Sequence, residues 1–174
     1  MLVRDAQPAD ADAVAAVHVR SWQVGYRGLI PDELLDALRP QDRASRYRFG
    51  ELDPLAPATI VALEAEAICG FATTGPSRDD AHGGAGELMA LYVDPDRWGL
   101  GIGRTLLAQA RTAMARAGFE RALLWVLAGN ARAERFYLID GWAPTGERRQ
   151  ATVWGAAADE IGYARSLTPA APRS

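Results

Sequence analysis

The chain has 174 residues, of which 49% are hydrophobic and 24% are charged, which is the composition of an ordinary globular protein. Its net charge of −3 lacks the basic excess that binding to a nucleic-acid backbone requires, so we do not expect nucleic acid as a partner. All 19 basic residues are arginine, which excludes a Walker-A phosphate loop because that motif needs a lysine.

Cysteine and histidine are scarce. Cys69 is the only cysteine, and His18 and His82 are the only histidines, so the sequence predicts neither an internal disulfide nor a metal site. The N-terminal residues lack a basic segment followed by an apolar one, and no apolar run approaches about 18 residues. We therefore expect a cytoplasmic protein with no membrane partner.

The first half of the chain alternates short apolar runs with breaks. Pro8 suits the first turn of a helix, and Asp10 and Asp12 lie near the positive end of that helix. Two apolar runs separated only by Ala65 and Glu66 are typical of a β-hairpin, although no glycine marks the turn. The elements predicted here are a strand over 2–4, a helix over 8–23, one or two short helices within 24–50, and strands over 58–64 and 67–74.

The second half contains a strand, a helix and a strand in direct succession, over 87–93, 103–118 and 122–127. The run ALLWVL in the second strand is apolar on both faces, as a central parallel strand is, so the segment predicts a right-handed βαβ unit. Apolar residues recur at helical spacing on one face of the helix. They are Leu106, Leu107, Ala110, Met114 and Ala117.

A helix over 131–140 and strands near 143–153 and 160–167 complete a mixed α/β (α+β) fold. No repeat or long linker interrupts the chain, so we expect residues 1–167 to form one domain. The end of the chain, TPAAPRS, has the composition of a frayed terminus, which predicts a flexible tail over 168–174.

A glycine-rich turn lies where the strand of the βαβ unit leads into its helix. Gly99, Gly101 and Gly103 let the backbone approach an anion closely, and the first helical turn offers unpaired N–H groups and a positive dipole end. The dinucleotide motif G-x-G-x-x-G does not fit, because no acidic residue follows at the required distance. The turn predicts a phosphate site, and the alternative is a turn that only allows close packing.

A second motif follows at the expected distance. The turn, read from Trp98 to Gly103, is similar to Q/R-x-x-G-x-G/A, and the later segment matches N-x-x-A-x-x-F-Y-x-x-x-G-F/W. The two motifs together resemble the GNAT superfamily of acetyl-CoA-dependent N-acetyltransferases, although Trp98 stands where that family most often has Gln or Arg. The residues that match the second motif are Asn130, Ala133, Phe136, Tyr137, Gly141 and Trp142.

The resemblance implies a GNAT fold with a mixed central sheet of about six to seven strands, a splayed parallel pair and flanking helices. It implies acetyl-CoA as co-substrate, no metal, and transfer of the acetyl group to a primary amine by direct attack in a ternary complex. The implied cofactor-binding residues are Leu91, Tyr92, Val93, Trp98, Gly99, Leu100, Gly101, Ile102, Gly103, Arg104 and Asn130. For Asn130 the alternative role is a helix N-cap, and for Arg104 it is a solvated charge.

Three groups are candidates for the chemistry. The backbone N–H of Leu91 would polarise the acetyl carbonyl, and Tyr137 would be the general acid for the departing thiolate. Glu87 would be the general base, on one face of its strand with Met89 and Leu91, where enclosure would raise the pKa of its carboxyl group. The alternatives are a core aromatic for Tyr137 and a solvated charge for Glu87.

The acceptor is not identified by any motif. By the resemblance, Trp22 and Tyr26 lie in the region that covers the acceptor side, although such rings are also common in the core. We expect an amine on a small molecule or a peptide, and a homodimer is a further expectation from the family. The alternative function is a catalytically inactive CoA-binding module with a regulatory or interaction role.

Overall fold

Residues 1–50, 56–153 and 155–167 are described by the computed structural model of the protein, so the predicted tail over 168–174 lies outside the described residues. The strands in these ranges are β1 (Leu2–Asp5), β2 (Ala58–Glu64), β3 (Ala67–Pro76), β4 (Gly86–Val93), β5 (Arg121–Leu127), β6 (Ala143–Val153) and β7 (Ala156–Ser166). The α-helices are α1 (Ala11–Gly25), α2 (Asp32–Ala37), α3 (Pro40–Ala44), α4 (Ile102–Arg116) and α5 (Ala131–Ile139). Each predicted helix and strand is present, with ends that differ by a few residues.

The seven strands form one sheet in the order β1-β2-β3-β4-β5-β7-β6. All neighbours are antiparallel except β4 and β5, which α4 connects as the predicted βαβ unit. The parallel pairing is short, because only Gly86 with Ala122 and Glu87 with Leu123 are in register before the two strands separate. The predicted mixed sheet with a splayed parallel pair is therefore confirmed.

Helix α4 covers one face of the sheet with the predicted apolar face. Leu106, Leu107, Ala110 and Met114 are all buried there. The prediction that Ala117 belongs to this apolar face is wrong, because Ala117 is exposed. The helix ends at Arg116, and Ala117 is followed by the left-handed Gly118 (φ 91°), where the chain turns away from the sheet. Ala117 therefore does not reach the core.

The hairpin of β2 and β3 turns on two residues that are not glycine. Ala65 and Glu66 both have left-handed backbone conformations, with φ of 46° and 69°. Two-residue hairpin turns need positive φ to match the twist of the strands, and each non-glycine residue in that region costs about 1–2 kcal/mol. The predicted hairpin is confirmed, and its turn is strained.

Helix α1 covers the opposite face of the sheet. Val14 and Val17 pack against Val61 and Phe71 of the N-terminal strands. Further along the helix, Val19 and Trp22 join a cluster that reaches Leu127 at the end of β5, together with Ile30, Leu35, Leu38 and Ala158. Helix α1 therefore bridges the strands on both sides of the point where β4 and β5 separate. None of the helices in the described ranges is long and apolar enough to span a membrane.

A histidine is enclosed between α1 and the sheet. His18 is buried, and its Nδ1 atom lies 2.8 Å from the Tyr47 hydroxyl and accepts a hydrogen bond from the Arg43 Nε at 3.2 Å. Its ring stacks on Tyr92 with 4.5 Å between centroids. Burial, and then the Arg43 guanidinium, lower the pKa of His18 well below its usual range. The folded protein therefore holds this imidazole neutral.

This histidine should make the protein sensitive to mild acid. Below pH about 6.5 the unfolded chain binds a proton at His18 that the folded chain does not, so stability should fall by up to about 1.4 kcal/mol per pH unit. Urea unfolding from pH 7.5 to 5.5 should show this slope in the wild type and a flatter one in His18→Gln. The control is His82→Gln, and an unchanged slope in His18→Gln would contradict the assignment.

Candidate active site

A cavity of about 750 Å³ opens where β4 and β5 separate. Its walls come from the end of α1, most of β4, the glycine turn, the end of β5, one side of α5, and one residue each of β6 and β7. Because α1 and α4 lie on opposite faces of the sheet, the cavity reaches from one face to the other through the gap between β4 and β5. Of the residues predicted to bind cofactor, all but Leu100 line it, as do Tyr137, Trp22 and Tyr26.

A β-bulge in β4 changes which side chains share a face. Leu88 pairs with Thr74 and Ala90 pairs with Thr73, so Met89 is an extra residue in β4. Leu88 and Leu91 consequently both pack toward α4. The expectation that Glu87 shares a face with Leu91 and Val93 is therefore wrong, because the inserted residue reverses the alternation between Glu87 and Leu91. Met89 does lie on the face of Glu87, beside Gly75, with which Glu87 pairs.

The backbone of β4 faces the cavity beyond this bulge. The Asp94 N–H donates to the Cys69 carbonyl of β3, and peptide groups alternate along a strand. The N–H groups of Leu91 and Val93 therefore point the other way, toward β5, with which β4 no longer pairs at this position. The Val93 carbonyl on the same side accepts from the Ser21 hydroxyl at 2.9 Å and the Trp98 indole at 2.7 Å. A ligand in the gap can bind to the free N–H groups.

The glycine turn leads directly into α4. Gly99 and Gly101 have left-handed conformations, with φ of 83° and 85°. Thr105 makes the first bond of the helix, donating to the Gly101 carbonyl at 3.1 Å. The N–H groups of the preceding first turn have no carbonyl within the helix to bind, and the helix dipole is positive here. This arrangement can bind a phosphate group.

Trp98, which stands where the resemblance predicts Gln or Arg, has a structural role. Its indole N–H binds the end of β4, its ring lies 3.7 Å from the position of a Cβ on Gly25 of α1, and the guanidinium of Arg132 lies 3.3 Å above the ring. A cation over an indole face is stabilised by the ring quadrupole. The side chain therefore holds α1, β4 and α5 together at the cavity and carries a positive charge beside the glycine turn.

Positive charge is concentrated around this part of the cavity. Arg97, Arg104, Arg132 and Arg135 all line it, and the first two flank the glycine turn. Arg104 is exposed, so its two predicted roles, phosphate contact and solvated charge, are both compatible with its position. Sequence analysis missed Arg132, whose only signal is its place between Asn130 and Ala133 in the second motif.

Asn130 caps α5. Its side-chain oxygen accepts from the Ala133 N–H at 3.1 Å, so the capping alternative is present in the structure. Its amide N–H₂ group makes no hydrogen bond to the described residues, and the residue lines the cavity. Capping and a contact to a ligand use different atoms, and Asn130 can make both.

Tyr137 lies in the wall of the cavity and is 9% exposed. Its ring packs edge-on against Phe136 and Trp142, with centroids 5.2 Å and 6.0 Å away. Burial, and then the nearby Tyr92, raise the pKa of Tyr137 well above its usual range. The phenol therefore stays protonated at neutral pH, and it can donate a hydrogen bond or a proton.

Glu87 is buried, but it does not line the cavity. Its carboxylate accepts from the Arg78 guanidinium at 2.6 Å and from the Arg78 backbone N–H at 3.1 Å. The Arg78 side chain is 62% exposed and lies over the buried carboxylate, so it separates Glu87 from solvent. The contacts tie the loop before β4 to the start of the strand.

Aromatic side chains form the wall under α1. Trp22 packs edge-on against Tyr26 at 4.7 Å, and the Tyr26 hydroxyl lies 3.2 Å from the Tyr92 hydroxyl. The rings predicted for the acceptor side are therefore partly core and partly cavity wall. Trp125 of β5 and Glu160 of β7 complete this wall, and sequence analysis assigned no role to either.

The profile of the Acetyltransferase (GNAT) family matches residues 20–141 of the chain. The chain therefore belongs to this family of acetyltransferases, which confirms the resemblance and the enzyme class that the two motifs predict. It is 33% identical over 128 residues to the uncharacterized N-acetyltransferase YuaI of Bacillus subtilis strain 168, a match that covers 74% of this chain and 72% of YuaI.

Solved structures of acetyltransferases share the fold. PaiA N-acetyltransferase from Thermoplasma acidophilum, solved in complex with coenzyme A, has a TM-score of 0.71 at 20% identity, over 95% of this chain and 98% of PaiA. The Salmonella typhimurium protein yncA, solved with its cofactor acetyl-CoA, has a TM-score of 0.73 at 21% identity, over 100% of this chain and 98% of yncA.

The glycine turn allows a direct comparison of two substitutions. Gly101→Ala places a side chain in the left-handed region and should lower the free energy of unfolding by about 1–2 kcal/mol. Gly103→Ala should be neutral or stabilising, because Gly103 lies in the helix and its added Cβ meets Phe136 at an ordinary 3.5 Å. Urea unfolding of both variants checks this, and equal losses would contradict it.

Proposed function

We propose that the protein transfers the acetyl group of acetyl-CoA to a primary amine. The observation that carries the proposal is the gap between β4 and β5, which has free backbone N–H groups along one side and a helix N-terminus at one end. Membership of the acetyltransferase family supports it, as do the neighbours of the same fold that were solved with CoA or acetyl-CoA.

The cofactor would lie along the gap. Its pyrophosphate would bind the first turn of α4, where the turn from Gly99 to Gly103 brings N–H groups to the anion and Arg132 adds charge. The pantetheine arm would follow the backbone of β4 from Val93 to Leu91 and place the thioester near the bulge. The amide of Asn130 would bind the arm from α5.

In the reaction, the lone pair of the neutral amine attacks the thioester carbon and the C–N bond forms. As the C–S bond breaks, the thiolate takes a proton and the amine loses one. The N–H of Leu91 would stabilise the oxyanion, and a donor of this kind contributes about 3 kcal/mol. Its direction toward the gap supports this role.

Tyr137 would be the general acid. Complete transfer of its proton to a thiolate, whose acid has a pKa of about 8.5, runs uphill when the phenol pKa is raised. Tyr137 would therefore donate a hydrogen bond to the leaving sulfur and transfer its proton only as the bond to carbon breaks, when the sulfur becomes most basic. Its place in the cavity wall supports this role.

Glu87 is the proposed general base, and its salt bridge with Arg78 limits when it can act. Both oxygens of the carboxylate are bound by Arg78, so that side chain must move away before Glu87 can take a proton, directly or through water. The exposure of Arg78 makes such a movement feasible. A Glu87→Gln enzyme should lose the acidic limb of the pH–rate profile, and an unaltered profile would remove Glu87 from the mechanism.

Replacing Tyr137 tests the acid. Tyr137→Phe should lower kcat by about 10²-fold or more with little change in CoA affinity, because the ring packing is kept and only the donor is removed. Tyr163→Phe is the matched control, since its buried hydroxyl donates to Glu134 at 3.1 Å outside the cavity. Unchanged turnover in Tyr137→Phe would refute the role.

The experiment that tests the function is a thiol-release assay with acetyl-CoA and a panel of polyamines, amino acids, aminoglycosides and short peptides, together with calorimetric titration of CoA. Turnover with an amine supports the proposal. CoA binding without turnover of any amine favours the inactive CoA-binding module, and absence of CoA binding overturns both.

A further inference from the structure

The charged residues of the cavity are divided between its two sides. Of the described residues that line it, the arginines lie at the glycine turn and the start of α5, and Glu160 is the only acidic residue. Glu160 lies on β7, opposite Leu127 at the end of β5. A cofactor that places its phosphates among the arginines neutralises that side and leaves one carboxylate on the other.

Aromatic side chains line the same cavity as this carboxylate. Trp125 precedes Leu127 by two residues, and Gly162 follows Glu160 by two, so all four lie on the face of the sheet that α1 covers. A Cβ on Gly162 would lie 3.2 Å from the Trp125 ring, so the absence of a side chain there makes room for the indole. Trp22 of α1 and Tyr26, the residue that follows this helix, pack in one cluster with Leu127.

The carboxylate is close enough to act on its neighbours. Burial, then Tyr92, then more distant groups that include Glu160 raise the pKa of Tyr26 well above its usual range. The Glu160 Oε2 accepts from the Arg149 Nε at 2.7 Å, and the Arg149 guanidinium lies 4.2 Å from the centre of the Trp125 ring. Its other oxygen accepts no hydrogen bond from the residues that the structure describes.

We propose that the acceptor is a cationic amine with an apolar or aromatic body and no carboxylate beside the nitrogen, and that Glu160 binds its ammonium group. The inference rests on the proposed function and names the acceptor class of the same site. Glu160 attracts an ammonium group, and Trp22, Tyr26 and Trp125, which line the same cavity, offer apolar contact to its body. An α-amino acid would bring its own carboxylate against Glu160 and bind less well.

The competing explanation is that Glu160 and Arg149 are an ordinary ion pair across β6 and β7, where they are directly opposite in register. The two explanations predict different effects of substitutions at Glu160 and Arg149 on acceptor binding. If Glu160 binds the acceptor, Glu160→Gln weakens binding, whereas Arg149→Gln removes a cation that competes for the carboxylate and strengthens binding. If the pair is only structural, both substitutions break it and have the same effect.

The test uses purified full-length protein, with thiol-release kinetics and calorimetry. The probes are phenethylamine, phenylalaninamide and phenylalanine, which share a ring and differ in the group beside the amine. We expect phenethylamine and phenylalaninamide to be acetylated with a kcat/KM at least about 10-fold above that of phenylalanine. In Glu160→Gln the KM for phenethylamine should rise about 10-fold or more, as expected for loss of a charged hydrogen-bond partner, and in Arg149→Gln it should fall.

Glu147→Gln is the matched control, because Glu147 lies on β6 with its carboxylate 3.1 Å from His82 and does not line the cavity. It should leave all three KM values unchanged, and urea unfolding verifies that each variant is folded. Equal effects of Glu160→Gln and Arg149→Gln, a preference for phenylalanine, or no binding of phenethylamine to the CoA complex would overturn this inference alone. Absence of CoA binding would overturn the proposed function as well.

Discussion

The brief contact between β4 and β5 is the constraint on which the site depends. The two strands pair over only two residues. At this point Gly86 allows the connection between the strands to pack closely on β4, because a Cβ there would lie 2.9 Å from the Met114 sulfur and 3.1 Å from the Phe119 ring. Beyond this point the strands separate, and the backbone of β4 keeps N–H groups that no strand satisfies. Unpaired backbone groups inside a sheet have a free-energy cost, which a bound ligand can remove.

The chemistry of the gap follows from the elements that end beside it. The start of α4 brings a positive dipole end, and α5 brings Arg132, which Trp98 holds in place. The end of α1 brings aromatic rings, and β7 brings Glu160. Although position 98 is a tryptophan, Arg132 therefore provides a cation beside the glycine turn, and the turn keeps its backbone donors.

Much of the fold could be predicted from the sequence because its signals are local. The run ALLWVL, the helical spacing before it and the glycines between the strand and the helix indicate the βαβ unit, and the two motifs indicate the family. The bulge at Met89 could not be predicted, because nothing in ELMALYV marks an inserted residue. That one residue changes the side of the sheet on which Glu87 lies.

The missed parts of the site depend on contacts between distant segments. The pairing of Glu160 with Arg149 requires the register of β6 and β7, which is itself irregular between Pro144 and Arg148. The place of Glu160 in one cavity with Tyr26 requires the end of α1 to lie across β5. Neither relation has a sequence signal of its own. Glu87, at the start of the strand that precedes the glycine turn, is therefore easier to propose from the sequence than Glu160, which lies in the cavity.

The sheet order also has a consequence for how the chain folds. Strands β1 to β4 precede α4, and strands β5 to β7 follow it, so each side of the sheet is built from a continuous stretch of chain. The hairpins of β2 with β3 and of β6 with β7 close over short loops, which costs little entropy. The junction of the two sides joins segments that are far apart in the chain, through α4 and through the contacts of α1 with Leu127, so we expect it to form after the hairpins.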